Sequence, residues 1–313
     1  MPRVSIIIAT RNRPELLPCA VQSARLSAAD AEIIVVDDAS WERTAEVCQG
    51  LSDIKYVRAE RNQGLGGARN IGLLASSGDY ISFLDDDDVR LPDTLSRQIE
   101  LLEREPSAGL IFAQAIMGDH EDNTHLGSYP RECPQGDVFW QLLIRNFIPC
   151  GTVVFRRSCL SSVGLLDDAC CGIEDWDLWV RIAEIYPVIA LEMPVIIWRR
   201  ATPSSGQLTS QAAQIVSLCV RQFRDWMRLP RAMAASGETR RALWSSFSEN
   251  MVEHLVWESG RALRHGQLIG LLKNLSIILR LHPLTLVRIA QHRVLRIPQP
   301  GIQESQMSFH SQS

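Results

Sequence analysis

No stretch of the sequence holds the roughly 18–20 uninterrupted apolar residues of a membrane-spanning helix, so no integral membrane anchor is expected. No P-loop occurs, which removes the commonest phosphate-cradling motif from consideration. The eight cysteines show no zinc-ligand spacing, and Cys170 and Cys171 are adjacent and awkward to pair. Nothing resembling a secretory signal opens the chain, because Met1–Arg3 runs directly into an apolar strand. These features predict a reduced, cytoplasmic setting. No internal repeat is present.

What is there is an ordinary globular composition, 46% hydrophobic and 22% charged over 313 residues. The net charge of −4 conceals a split. Residues 1–206 carry 30 acidic and 19 basic side chains, whereas residues 207–300 carry 5 and 13. The sequence therefore predicts an acidic domain over 1–206, a basic helical extension over 207–297, and a disordered Ser- and Gln-rich tail over 298–313.

The first third alternates strands and helices. The continuous apolar run Val4–Ala9 predicts a central parallel strand, and Glu32–Val36, Ile54–Arg58 and Tyr80–Leu84 read as the second, third and fourth strands. Helical spacing over Pro14–Leu26, Trp41–Gly50, Gly66–Ser76 and Pro92–Glu103 predicts the connections between and after them. This is a doubly wound α/β pattern, in which ligands bind beyond the carboxyl ends of the strands. Further strands are expected at Leu110–Ala115, Thr152–Arg156, Val188–Leu191 and Val195–Trp198. Helices are expected at Asp137–Arg145 and Glu174–Glu184, and a loop at Met117–Pro134. From Ser204 to Arg296 the pattern is helical almost throughout.

Four carboxylates, Asp85-Asp86-Asp87-Asp88, directly follow the fourth strand. Like charges this close repel unless protons or a cation neutralise them, and Mg²⁺ or Mn²⁺ would do so while bridging to a diphosphate. A solvated acidic turn capping the next helix explains the same residues. Asp37-Asp38 ends the second strand on the same sheet edge, suited to a base N–H or a ribose hydroxyl, or equally to an Asx-turn. Thr10, Asn12 and Arg13 follow the first strand and offer hydrogen bonds and charge to phosphates. The glycine-rich stretch Asn62–Asn70 fails the dinucleotide fingerprint, since Arg69 stands where the third glycine belongs, and close backbone approach to a nucleotide fits it better. Glu174-Asp175-Trp176-Asp177 places carboxylates at a helix start, one of them a candidate general base, with Trp176 a candidate for stacking on a sugar. Buried tryptophans behind an acidic helix start are the plainer alternative.

The motifs Ala9-Thr10-Arg11-Asn12-Arg13, Val36-Asp37-Asp38-Ala39-Ser40, Gly67-Ala68-Arg69-Asn70-Ile71-Gly72, Leu84–Asp88 and Glu174–Leu178 resemble, in this order, glycosyltransferase family 2. The resemblance spans roughly Val4 to Ser205 and implies a GT-A (Rossmann-like) fold and inverting transfer from a nucleotide-diphosphate sugar, with UDP as the expected carrier. It implies that Asp38, with Asp37 beside it, recognises the base, with Thr10, Asn12, Arg13 and Asn70 around the nucleotide. Asp85-x-Asp87 corresponds to the family's DXD motif: Asp87 binds Mn²⁺ or Mg²⁺, Asp85 lies nearer the ribose, and Asp86 lines the pocket. Asp175 resembles the catalytic base, with Glu174 as its neighbour. Relatives often carry a histidine near Ala201, so Arg199 or Arg200 would serve the phosphate side here. The expected acceptor is a glycan or lipid-linked hydroxyl in cell-surface polysaccharide or glycoconjugate synthesis; no nucleic-acid partner is expected.

A sugar-phosphate nucleotidyltransferase would also use a metal-binding acidic cluster, but it demands a glycine-rich loop after the first strand, and Ala9–Pro14 contains no glycine. A non-catalytic sugar- or nucleotide-binding module of the same fold is the other competitor, which Ala201 keeps open. Residues 268–296 are apolar and basic without one acidic side chain. They suit peripheral contact with the inner face of an anionic membrane, or a packed helix with its arginines in water.

Overall fold

The computed structural model describes residues 3–119, 124–199, 212–264 and 266–282. In chain order the elements are β1 (Val4–Thr10), α1 (Leu17–Ser27), β2 (Ala31–Asp37), α2 (Thr44–Gln49), β3 (Ile54–Arg58), α3 (Gly64–Ala75), β4 (Tyr80–Asp85) and β5 (Val89–Arg90). There follow α4 (Thr94–Arg104), β6 (Leu110–Asp119), β7 (Thr124–Tyr129), α5 (Phe139–Ile144), β8 (Val154–Arg156), α6 (Leu160–Val163), α7 (Glu174–Ile185) and β9 (Val188–Trp198). The chain continues with α8 (Ala212–Trp226), α9 (Pro230–Ala234), α10 (Gly237–Arg264) and α11 (Leu268–Leu281).

Among the described residues the strands form one sheet in the order β3-β2-β1-β4-β8-β6-β9-β5, with β7 paired to β6. The first four in that order are parallel, in a register that sets Thr10 opposite Asp37 and Ala9 opposite Asp85. The carboxyl ends of β1, β2 and β4 thus share one edge. Alternation along each strand feeds two cores: Ile6, Ile8, Ile33 and Val35 pack toward α1 and α4, and Ile7, Ile34, Phe83 and Phe155 pack toward the opposite layer. That second core continues without a break through Trp176, Phe223, Trp226 and Phe247, so the carboxyl-terminal helices share it with the sheet.

Two expectations are corrected. Met117–Pro134 is not one loop: β6 runs on to Asp119, and Thr124–Tyr129 returns as an antiparallel partner. Its polar, turn-rich composition hid the strand. Val188–Trp198 is one strand and not two, because register shifts opposite Gln114 absorb Pro194. The tail at 298–313 and the helical pattern beyond 282 lie outside the described residues.

Of the glycines of α3, Gly72 is the one that packing against the sheet requires. A Cβ on Gly66 would lie 3.4 Å from the Asp168 Cα and 3.5 Å from the Glu174 side chain, an ordinary van der Waals contact. A Cβ on Gly72 would lie 2.3 Å from the Ile7 Cγ2 in the fully buried centre of β1. Gly72→Ala is therefore expected to lower stability by about 1–2 kcal/mol despite alanine's better helix propensity, because overpacking outweighs it. Urea unfolding of the two proteins measures this, and an unchanged or raised midpoint would refute it.

Candidate active site

The loops after β1 and β2 are zipped together before any ligand is considered. The Asn12 N–H donates to the Ser40 Oγ (2.9 Å), and the Asn12 Oδ1 accepts from the Trp41 N–H (3.0 Å). Asn12 and Ala39 both hold positive φ, 55° and 57°, a conformation that non-glycine residues keep only where surrounding contacts demand it. Asp37 is wholly buried and accepts from the Ser40 N–H (2.8 Å), the Tyr56 hydroxyl (2.6 Å) and the Arg58 Nη1 (3.1 Å). Its place is inside the scaffold. Asp38 stands at the edge and accepts from the Gln63 N–H (2.6 Å) and the Gly64 N–H (3.0 Å), joining β2 to the start of α3. Each of its oxygens retains a further lone pair.

The four aspartates after β4 have four environments. The Asp85 side chain is part-exposed. Asp86 accepts from the Thr10 hydroxyl (2.7 Å) and the Arg13 Nη1 (3.0 Å), and the same Nη1 reaches the Asp87 Oδ2 at 3.1 Å. Burial pushes the Asp86 carboxyl up to about 6 against the pull of Arg13 and Thr10. Asp88, buried and facing Asp85 and Asp87, lies well above the usual carboxylate range and accepts from the Arg199 main-chain N–H at 3.1 Å. Beyond it, fully buried Arg90 donates to the Gly151 carbonyl (2.7 Å), the Ser82 hydroxyl (3.2 Å) and the Gln98 amide oxygen. It fixes the turn around Cys150–Thr152, and burial lowers its pKa to about 9.

Glu174 and Asp175 open α7 on the far wall. Glu174 is buried and accepts from the Gly172 N–H at 2.6 Å. Asp175, bonded by the Trp176 N–H at 2.7 Å, is raised to about 7 by burial and by Glu174, with Arg69 opposing. Arg69, on α3, joins the two walls: its Nη2 donates to the Asp85 Oδ1 (2.7 Å) and its Nη1 to the Glu174 Oε1 (2.9 Å). It is 3% exposed and lies over the Phe83 ring, 5.2 Å from the centroid. The structure thus brings Thr10, Arg13, Asp85, Asp86 and Asp87 together and links them to Glu174 and Asp175.

Other expected residues are placed elsewhere. Asn70 spends both ends of its amide on Leu166, 2.9 Å to the carbonyl and 3.0 Å from the N–H, anchoring the chain before α7. Trp176 is buried, donates to the Leu142 carbonyl (2.7 Å) and packs on Trp226 at 4.9 Å, so its ring does not face a sugar in this structure. Arg200 and Ala201 lie outside the described residues. Arg69 and Arg90 were not among the expected site residues. The signal for Arg69 was a lone cation on an otherwise apolar, glycine-lined helix face.

The acidic cluster suits a hard divalent cation. Asp85 and Asp87 offer carboxylate oxygens, and Mg²⁺ or Mn²⁺ takes one or two of these together with substrate phosphates. Among the described residues no three His, Cys, Asp or Glu side chains converge on one point, so the remaining ligands would come from a substrate and water.

The family model described as "Glycosyl transferase family 2" matches residues 5–162, half of the chain and the part that carries the aspartate cluster. The chain belongs to glycosyl transferase family 2. An uncharacterized glycosyltransferase of Haemophilus influenzae is 27% identical over 183 residues, covering 58% of this chain and 62% of the relative, so the match leaves more than a third of that protein unaligned. The Escherichia coli UDP-Glc:alpha-D-GlcNAc-diphosphoundecaprenol beta-1,3-glucosyltransferase WfaP is 31% identical over 187 residues, 58% of this chain and 70% of that one. In structure, the mannosyltransferase PcManGT of Pyrobaculum calidifontis, solved with GDP-Man and Mn²⁺, superimposes with a TM-score of 0.56 at 17% identity, covering 88% of this chain and 85% of that one. That likeness confirms the GT-A fold of this family 2 member.

Removing Arg69 leaves Glu174 buried without its cation. Arg69→Met is expected to cost about 3 kcal/mol of stability, mostly from Glu174, because the Asp85 side is part-exposed. Arg69→Met with Glu174→Gln should cost less than the sum of the single changes by at least about 1 kcal/mol. Denaturant unfolding of the four proteins checks it, and strict additivity would contradict the pairing.

Proposed function

We propose that the protein is an inverting glycosyltransferase that moves a sugar from a nucleotide diphosphate, UDP foremost, to an acceptor hydroxyl in cell-surface glycan synthesis. The observation that carries this reading is the Arg69 bridge, which holds the aspartate cluster and the Glu174–Asp175 pair as the two walls of one site. Asp38 accepts from the base at the edge between β2 and α3. Thr10 and Arg13 steady Asp86 and Asp87 at the diphosphate, and Asp85 lies toward the ribose. Asp87 and Asp85 would hold a Mn²⁺ or Mg²⁺ ion, which would supply counter-charge to a diphosphate leaving group.

Asp175 takes the proton of the acceptor hydroxyl. The acceptor oxygen bonds to the anomeric carbon from the face opposite the diphosphate, and the carbon–oxygen bond to the diphosphate breaks with its electron pair on the leaving oxygen. One displacement inverts the anomeric configuration. Arg69 holds Glu174 so that the charge beside Asp175 is partly balanced, which keeps the base accessible near neutral pH. WfaP, named for a lipid-diphosphate acceptor, supports a lipid-linked acceptor for this chain as well.

The test is release of nucleoside diphosphate from candidate nucleotide sugars, with the anomeric product read by NMR. Asp175 must be ionised to act, so kcat/KM is expected to fall tenfold per pH unit below a midpoint near 7 and to level off above it. Asp175→Asn should lose at least about a thousandfold in kcat, within the range that general bases and their positioning contribute. Retained anomeric configuration, or full activity in Asp175→Asn, would overturn the mechanism.

A further inference from the structure

Helix α11 turns only a narrow side toward the protein. Asn274 and Ile278 are buried, whereas Leu268, Ile269, Leu272 and Leu279 are 64%, 73%, 66% and 52% exposed. At the 3.6-residue helical period these four, with Ser276 between them, occupy one sector of about 100°, and Arg280 and Lys273 follow directly on its flank. Four large apolar side chains on one face are a patch and not scattered exposure.

Beside that patch, α11 and α8 enclose an open groove of about 500 Å³. Gln214, Lys273, Ser276 and Arg280 bring hydrogen-bond donors to its lining, and Leu272 joins it to the apolar sector. Neither Lys273 nor Arg280 has an ion pair among the described residues. The pairing of an apolar strip with a cationic, donor-lined groove matches the layering of a phospholipid surface, where acyl chains lie below a row of phosphates. At 14 residues, α11 is too short to cross a bilayer, and among the described residues no helix is long and apolar enough to do so. It can only lie in the plane of the interface.

We propose that the exposed face of α11 docks on an anionic bilayer, with lipid phosphates in the α8–α11 groove and Leu268, Ile269, Leu272 and Leu279 among the upper acyl segments. The surface is coupled to the candidate active site through α8. There Gln222 and Trp226 donate to the Asp177 Oδ1 at 2.7 Å and 2.9 Å, two residues beyond Asp175 on α7. Docking through α11 thereby holds the catalytic helix at a fixed attitude to the membrane. The charge balance agrees: residues 268–296 contain no acidic side chain to be repelled.

The test is co-sedimentation of the full chain with vesicles of phosphatidylcholine alone or of phosphatidylcholine and phosphatidylglycerol in equal parts. Binding is expected only to the mixed vesicles, and Lys273→Glu with Arg280→Glu should weaken it by at least about tenfold. Leu272→Ser with Leu279→Ser should weaken it comparably. These side chains are exposed, so each variant should melt at the wild-type temperature, and that melt separates lost docking from lost folding. Failure of the wild type to bind mixed vesicles would overturn the proposal, as would binding indifferent to the charge reversal. A concentration-dependent dimer abolished by the leucine changes would instead assign the face to a second copy.

Discussion

Arg69 is the interaction on which the rest of the site depends. Three carboxylate-bearing segments crowd one sheet edge, and without a cation between them buried Glu174 would be left unpaired beside part-exposed Asp85. A guanidinium answers this because its fork reaches two acceptors at once and stays charged when buried. A lysine ammonium at the same place is a point charge on a flexible stem and could not hold both walls in one geometry. Gly72 belongs to the same solution, because it lets α3 settle on Ile7.

The site is also held by residues that no ligand need touch. Asp37 binds the loop after β2 to β3 through Tyr56 and Arg58, and Asn12 fastens the loop after β1 to it. Arg90 fixes the turn beneath Asp88, and Asp177 ties α7 to the carboxyl-terminal helices. Buried polar groups cross-linked in this way give a rigid frame, which matters where electrostatic stabilisation relies on charges that do not have to reorganise.

Much of the fold was legible because central parallel strands bury both faces and read as continuous apolar runs, as Val4–Ala9 and Ile33–Val36 do. Thr124–Tyr129 escaped because its polar, turn-rich sequence gives no strand signal apart from its pairing with β6, and Pro194 read as a break because a register shift leaves no local signature. At the site, the aspartates declared themselves through charge density. Trp176 and Asn70 were credited with ligand contacts that their side chains spend on Leu142 and Leu166, since aromatic and amide groups serve cores and loops as readily as substrates. Arg69 was hidden by its neighbours: its partners are 16 and 105 residues away, and only the folded chain brings them together.

The central claim is that this edge is a metal-assisted nucleotide-diphosphate site. The most direct measurement is calorimetric titration of UDP, GDP and dTDP into the wild type and Asp87→Ala, each with Mn²⁺ and with chelator. The account predicts Mn²⁺-dependent binding of one nucleotide, UDP foremost, to the wild type and its loss in Asp87→Ala. Absence of binding by the folded wild type, or binding indifferent to both chelator and the substitution, would contradict it.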